Sequence, residues 1–148
     1  MKYLFILVLV FTYSLSFAQY NRKVDKFTDE IVCRFATPNI SFYKYINSAD
    51  TMYQTAFVLY DSYLTVSGKD AILLFSDGSK LELKGEVNSE AASSSNYRYT
   101  FYTYGKEVVE KLSKINIEGF KLHIFEKNIS SANRPQIKNA AKTILVSK

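Results

Sequence analysis

The sequence predicts an α+β domain: a single, largely antiparallel or mixed β-sheet of about six strands, packed by one or two helices, the last at the C-terminus. Three observations carry that expectation. Apolar and polar residues alternate through "EIVCRF", "KLELK" and "YRYTFYTY", which is the period of a sheet with one buried face. Turn residues such as Thr37-Pro38-Asn39 and Asp77-Gly78 separate these runs. Helical spacing is confined to "KEVVEKLSKI" and the tail "RPQIKNAAKTILVSK".

The chain opens with "MKYLFILVLVFTYSLSFAQ", where Lys2 precedes an apolar run from Leu4 to Tyr13 and Ser16-Phe17-Ala18 supplies small residues at a cleavage site. Residues 1–18 therefore read as a secretory signal peptide cleaved after Ala18, leaving one domain over 19–148. The apolar run is short for a bilayer span, and no later segment is long and apolar enough for one. The expectation is a periplasmic or secreted protein without a transmembrane segment in its mature chain. About 130 remaining residues can bury roughly two thirds of their unfolded surface. An apolar content of 47% with few Gly or Pro argues for a packed core.

Cys33 is the single cysteine. No intramolecular disulfide can form, and a lone thiol on the apolar side of a strand reads as a small core residue. The net charge of +5 falls to +4 without Lys2, and the basic residues are scattered. That distribution argues against nucleic acid and suits at most weak affinity for acidic polysaccharide or an anionic membrane surface.

Taken in order, residues 20–29 form a polar, loosely held lead-in. Glu30 to Ala36 is a strand with Ile31, Cys33 and Phe35 on one face and Glu30 and Arg34 on the other. Ile40 to Ile46 is the next. Met52 to Val66 is long for one strand, and its apolar parity changes from Phe57 and Leu59 to Leu64 and Val66, predicting a bend at Asp61-Ser62. Met52, Ala56, Leu59 and Tyr63 also fit a helical stripe, so this segment is open between bent strand and helix. Ser67-Gly68-Lys69-Asp70 reads as a turn.

"AILLF" is apolar on both faces and belongs in the middle of a sheet, whereas the return strand buries only Leu81 and Leu83. Two registers are open at Asp77-Gly78. A two-residue turn opposes Leu74 to Leu81; a three-residue loop with a Gly78 bulge opposes Leu73 to Leu81. Residues 85–96, "GEVNSEAASSSN", are small and polar and are expected to form a mobile loop. In residues 97–104, Tyr97, Tyr99 and Phe101 share one face, and Arg98, Thr100, Tyr102 and Tyr104 the other.

The helix at 106–115 carries Val108, Leu112 and Ile115 on one stripe, with Glu107–Lys111 and Glu110–Lys114 as outward pairs. "FKLHIFE" alternates Phe120, Leu122 and Ile124 against Lys121, His123 and Phe125 as one strand. The helical connection before it is long enough for a crossover to a parallel neighbour, which makes the sheet mixed. The tail helix has Pro135 in its first turn, buries Ile137, Ala141, Ile144 and Leu145, and leaves Arg134, Lys138 and Lys142 as a basic ridge.

Chemistry is tested against these placements. Asp77 lacks the alternate oxygen ligands of a calcium loop, and "SGKD" lacks the upstream Gly and the hydroxyl of a phosphate loop. Ser41-Phe42-Tyr43-Lys44 has the S-x-x-K spacing of penicillin-recognising enzymes, but on a strand Ser41 and Lys44 face opposite sides. His123 is the only histidine and is expected opposite Cys33's face, which argues against a Cys–His dyad; one of each cannot fill a zinc shell. No metal, cofactor or catalytic residue is assigned. Asp25, Asp29, Glu30, Asp61 and Asp70 are available to an acid hydrolase but read as solvated surface. Twelve Tyr and no Trp are unusual. Exposed rings at Tyr102 and Tyr104, with Arg98 beside them, form the candidate ligand or partner surface.

The leader, "VDKFTDE" and "YLTVSGKDAILLFSDGSKLEL" together resemble small exported bacterial proteins of uncharacterised function. That resemblance implies export and a compact sheet-based domain, and no activity. The reading favoured is a non-enzymatic extracytoplasmic interaction or accessory module that meets a protein or glycan partner in the cell envelope through its tyrosine-rich face and the 85–96 loop. The runners-up are a small secreted hydrolase with acidic catalytic residues, and an inhibitor or adhesin subunit acting by strand addition.

Overall fold

Nine strands and two helices follow one another along the chain. The computed structural model describes residues 19–62 and 68–148. The elements are β1 (Gln19–Val24), β2 (Ile31–Ala36), β3 (Ile40–Ile46), β4 (Thr51–Asp61), β5 (Gly68–Phe75), β6 (Lys80–Ala91), β7 (Tyr97–Tyr104), α1 (Lys106–Lys114), β8 (Ile117–Leu122), β9 (Phe125–Asn128) and α2 (Asn133–Val146). The strands form one sheet in the order β1-β2-β3-β4-β7-β6-β5-β8-β9, and every neighbouring pair is antiparallel.

The sheet is curled into a half-barrel. β4 and β8 are four places apart in the order, which in a flat sheet is about 19 Å. Yet the rings of Phe57 on β4 and Phe120 on β8 lie 5.4 Å apart, and those of Tyr99 on β7 and Phe125 on β9 only 4.4 Å. Inside the curl, Phe42, Phe57, Phe101, Leu73 and Leu122 are fully buried. α2 lies in the concavity and touches β2, β3 and β8, while α1 packs on β4 and α2. α1 turns Val108, Val109 and Leu112 inward, and α2 turns in Ile137, Ala140, Ala141 and Ile144.

This architecture corrects the expected sheet of about six strands. Gln19 and residues 20–24 of the lead-in pair with β2 as an edge strand, because six backbone positions find a full ladder there without burying a side chain. "FKLHIFE" is two strands: His123 takes φ 55°, and Leu122 pairs with Phe125 across a tight turn at His123-Ile124. The sheet is also not mixed. α1 carries the chain past β6 and β5 to the far side of β5, where β8 enters antiparallel, so β7 and β8 are not neighbours.

The expected mobile loop at 85–96 shrinks to its last residues. Glu86 to Ala91 belong to β6 and pair with β5 or β7, and only residues 92–96 form the connection. Ladder hydrogen bonds on a central strand order the backbone without apolar burial. Gly68 to Asp70, expected as a turn, open β5, with Asp70 at φ 67° where the register with β6 shifts.

Residues 51–61 are strand and not helix. The signal peptide over 1–18 and the second half of the predicted bend, with Tyr63, Leu64 and Val66, lie outside the described residues. At the hairpin, Leu73 opposes Leu81, the register of a three-residue loop. Gly78 donates its N–H to the Phe75 carbonyl, takes φ 79°, and Asp77 Oδ1 accepts from Ser79 N at 2.9 Å. A left-handed residue closing a three-residue hairpin loop is the position where glycine avoids strain.

The predicted outward helix pairs are replaced. Glu110 meets Lys106 at 2.9 Å, and Lys111 lies over the Phe75 ring, 4.6 Å from its centroid. Arg134 leaves the basic ridge to hold the Ile129 carbonyl and Glu118. Among the described residues no helix is long and apolar enough to cross a membrane.

Candidate binding surface

Strand parity decides what the convex face presents. On β3, Ile40, Phe42 and Lys44 point into the curl, so Ser41, Tyr43 and Tyr45 point out. On β4, Gln54, Ala56, Val58 and Tyr60 point out, and on β7 so do Arg98, Thr100, Tyr102 and Tyr104. The register then lines up Asn21, Arg34, Tyr43, Gln54 and Tyr104 as one row across five adjacent strands. At about 4.8 Å per strand the row is roughly 19 Å long.

The row is held in place by its own contacts. The Tyr43 and Tyr45 rings are nearly parallel, 14° apart with centroids at 6.3 Å, and the Arg34 guanidinium lies 5.6 Å above Tyr43. Tyr45 donates its hydroxyl to Gln54 Oε1 at 3.0 Å, and Gln54 Nε2 donates to the Tyr104 hydroxyl at 3.0 Å. Burial, and then the neighbouring Tyr43, Tyr104 and the Glu30 carboxylate, raise the Tyr45 phenol above its ordinary value. It therefore stays a donor throughout the neutral range. Such a relay fixes side chains before any ligand arrives, which lowers the ordering cost of binding.

The three residues singled out in the sequence share the convex face of β7 but do not form one cluster. Tyr104, 63% exposed, ends the row, and Tyr102, 41% exposed, borders it. Arg98 lies six residues from Tyr104, about 20 Å along the strand, beside Tyr60 and paired with Glu90 at 2.8 Å. Arg34, Tyr43, Tyr45 and Gln54 were missed. The alternation in "ISFYKYI" carried the signal for the two tyrosines, but only the β3–β4–β7 pairing brings them to Tyr104.

Other candidates separate. Ser41 faces out, whereas Lys44 faces in and donates to the Ser147 carbonyl at 2.6 Å. Cys33 is buried on β2, with the Tyr20 hydroxyl 3.5 Å from its Sγ, while His123 sits in the turn between β8 and β9. Among the described residues no group of three or more His, Cys, Asp or Glu could hold a metal. A concavity of about 290 Å³ outside β5, β8 and β9 has Ile72, Leu74 and Gly119 in its lining; its one carboxylate, Glu126, meets Lys121 at 3.3 Å.

Comparison of the chain with protein-family models, with curated proteins and with solved structures finds no match.

Proposed function

We propose that this protein is an exported, non-enzymatic binding module whose ligand docks on the convex tyrosine face. The observation that carries the reading is the Tyr45–Gln54–Tyr104 relay beside stacked Tyr43 and Tyr45. Partly exposed aromatic rings with polar tips, immobilised without a ligand, are the residues that supply binding energy at recognition surfaces. The acidic residues give an active site little support. Asp25 caps its own turn by accepting from Phe27 N at 2.8 Å, and Asp70 pairs with Lys84 at 3.0 Å.

The test is affinity capture from the native envelope with immobilised full-length protein, run beside Tyr43→Ala/Tyr104→Ala. Losing two ring contacts should lower retention about tenfold or more. Equal retention by both proteins, or hydrolysis of a polysaccharide panel by the wild type, refutes the module and favours the hydrolase.

A further inference from the structure

The sign of the charge on the tyrosine face narrows its ligand. Lys23 pairs with Val32 on the outward side of β1, Arg34 with Tyr43 on β2, and Arg98 with Tyr60 on β7. No carboxylate occupies an outward position of β1, β2, β3, β4 or β7, but Glu30, just before β2, lies near enough to act on Tyr45, and Asp25 and Asp50 flank β1 and β4. Arg98 is committed to Glu90, which leaves Lys23 and Arg34 as the cations beside Tyr43 and Tyr45. With Lys23 and Arg34 against the single carboxylate of Glu30, the β1–β2 end of the row carries a net positive charge and its β7 end is neutral.

We infer that the occupant of this face is an acidic polysaccharide, lying across the strands along Arg34, Tyr43, Gln54 and Tyr104. This deepens the binding-module reading and rests on it. A sugar ring has apolar C–H faces that pack on aromatic rings and hydroxyl edges that need planar hydrogen-bonding partners. The row alternates those two kinds of side chain, with Gln54 and the phenol hydroxyls lying between ring faces. A hexopyranose unit is close to one interstrand spacing in length, so an extended chain meets one side chain of the row per sugar. The guanidinium of Arg34 offers a carboxylate or sulfate two parallel donors.

Single-stranded nucleic acid shares the anionic charge and the ring contact, so it is the competing ligand in the titration.

The experiment is calorimetric titration of the full chain with oligogalacturonate, dextran sulfate, a neutral cello-oligosaccharide and a single-stranded DNA oligonucleotide. Arg34→Gln and Tyr104→Ala, both at exposed positions, are titrated in parallel with circular dichroism as the folding control. The expected result is binding of one or both acidic glycans that weakens as salt rises. Arg34→Gln and Tyr104→Ala should each lower that affinity about tenfold. Preference between the carboxylated and the sulfated chain identifies the anionic group.

Neutral glycan binding as tightly as acidic, sensitive to Tyr104→Ala and not to Arg34→Gln, overturns the acidic ligand and keeps the tyrosine platform. Preference for DNA overturns the glycan. Binding of no probe, or acidic-glycan binding unchanged in Tyr104→Ala, overturns this inference; the capture experiment with Tyr43→Ala/Tyr104→Ala then decides the platform separately.

Discussion

Replacing Lys44 by Met asks whether a buried ammonium holds the C-terminal helix in the sheet. Lys44 is 8% exposed and points into the curl from β3. Its Nζ donates to the carbonyl of Ser147 at 2.6 Å, and to that of Leu145 at 3.4 Å; it also lies 5.4 Å from the Tyr53 ring centroid. These carbonyls belong to the end of α2, where orphan acceptors and the negative end of the helix dipole meet.

The short bond is charge-assisted and contributes about 1.5–3 kcal/mol; the longer one contributes little. The helix terminus adds about 0.3–1 kcal/mol, and the ring about 0.5–1 kcal/mol. The figure for the bond is already net of the water given up by its partners, and the desolvation of the rest of the ammonium brings the total of about 2–5 kcal/mol toward its lower end. Met keeps the stem and removes both sides of the balance, while the carbonyls at the helix end regain some water.

The expected net loss is about 2 kcal/mol, read as a lower urea midpoint at unchanged slope and a Tm lower by roughly 6–10 °C. A double-mutant cycle with Tyr53→Leu should leave a coupling of about 0.5–1 kcal/mol. Equal or greater stability of Lys44→Met would show that desolvation wins and that the cap contributes nothing net.

Gly68→Ala should destabilise by about 1–3 kcal/mol, because its Cβ would lie 2.6 Å from His123 Cβ and 3.2 Å from Val87 Cβ; His123→Gly, which also frees a residue at φ 55°, should restore most of that loss in urea titrations. The Lys84 ammonium, and then the Gly85 N–H, hold the Asp70 carboxyl below its ordinary value, and Asp70 in turn raises Lys84. A depressed acid contributes stability above its unfolded pKa of about 4 and loses it as pH falls through the folded value. A raised lysine contributes below about 10.4 and loses it as pH rises through its folded value. Asp70→Asn, which tolerates the φ of 67° at this site, should therefore flatten the acid limb of a Tm-against-pH curve; an unchanged acid limb counts against the pair.

Much of the local structure was legible in alternation. β2, β3 and β7 carry their inward residues where the period of two places them, as Cys33, Phe42 and Phe101 show. β1 and the end of β6 were not legible, because "QYNRKV" and "EVNSEA" bury almost nothing. What makes them strands is a partner's free backbone groups, and single-chain patterning carries no record of that. The break at His123-Ile124 was hidden for a related reason: the residues are ordinary, and the turn is set where Leu122 meets Phe125 and where His123 N reaches the Asp70 carbonyl at 3.1 Å.

The candidate surface divides the same way. Side-chain parity is a covalent property of an extended chain, so the sequence by itself determined that Arg98, Tyr102 and Tyr104 share a face, that Ser41 and Lys44 oppose each other, and that Asp77-Gly78 turns the chain. Only the tertiary structure decided that Leu73 opposes Leu81, that Arg98 stands apart with Glu90, and that Arg34, Tyr43, Gln54 and Tyr104 form one row. Strand order and register are set by long-range pairing and by the curl that closes over Phe57 and Phe120, and these couple residues as far apart in the sequence as Asn21 and Tyr104.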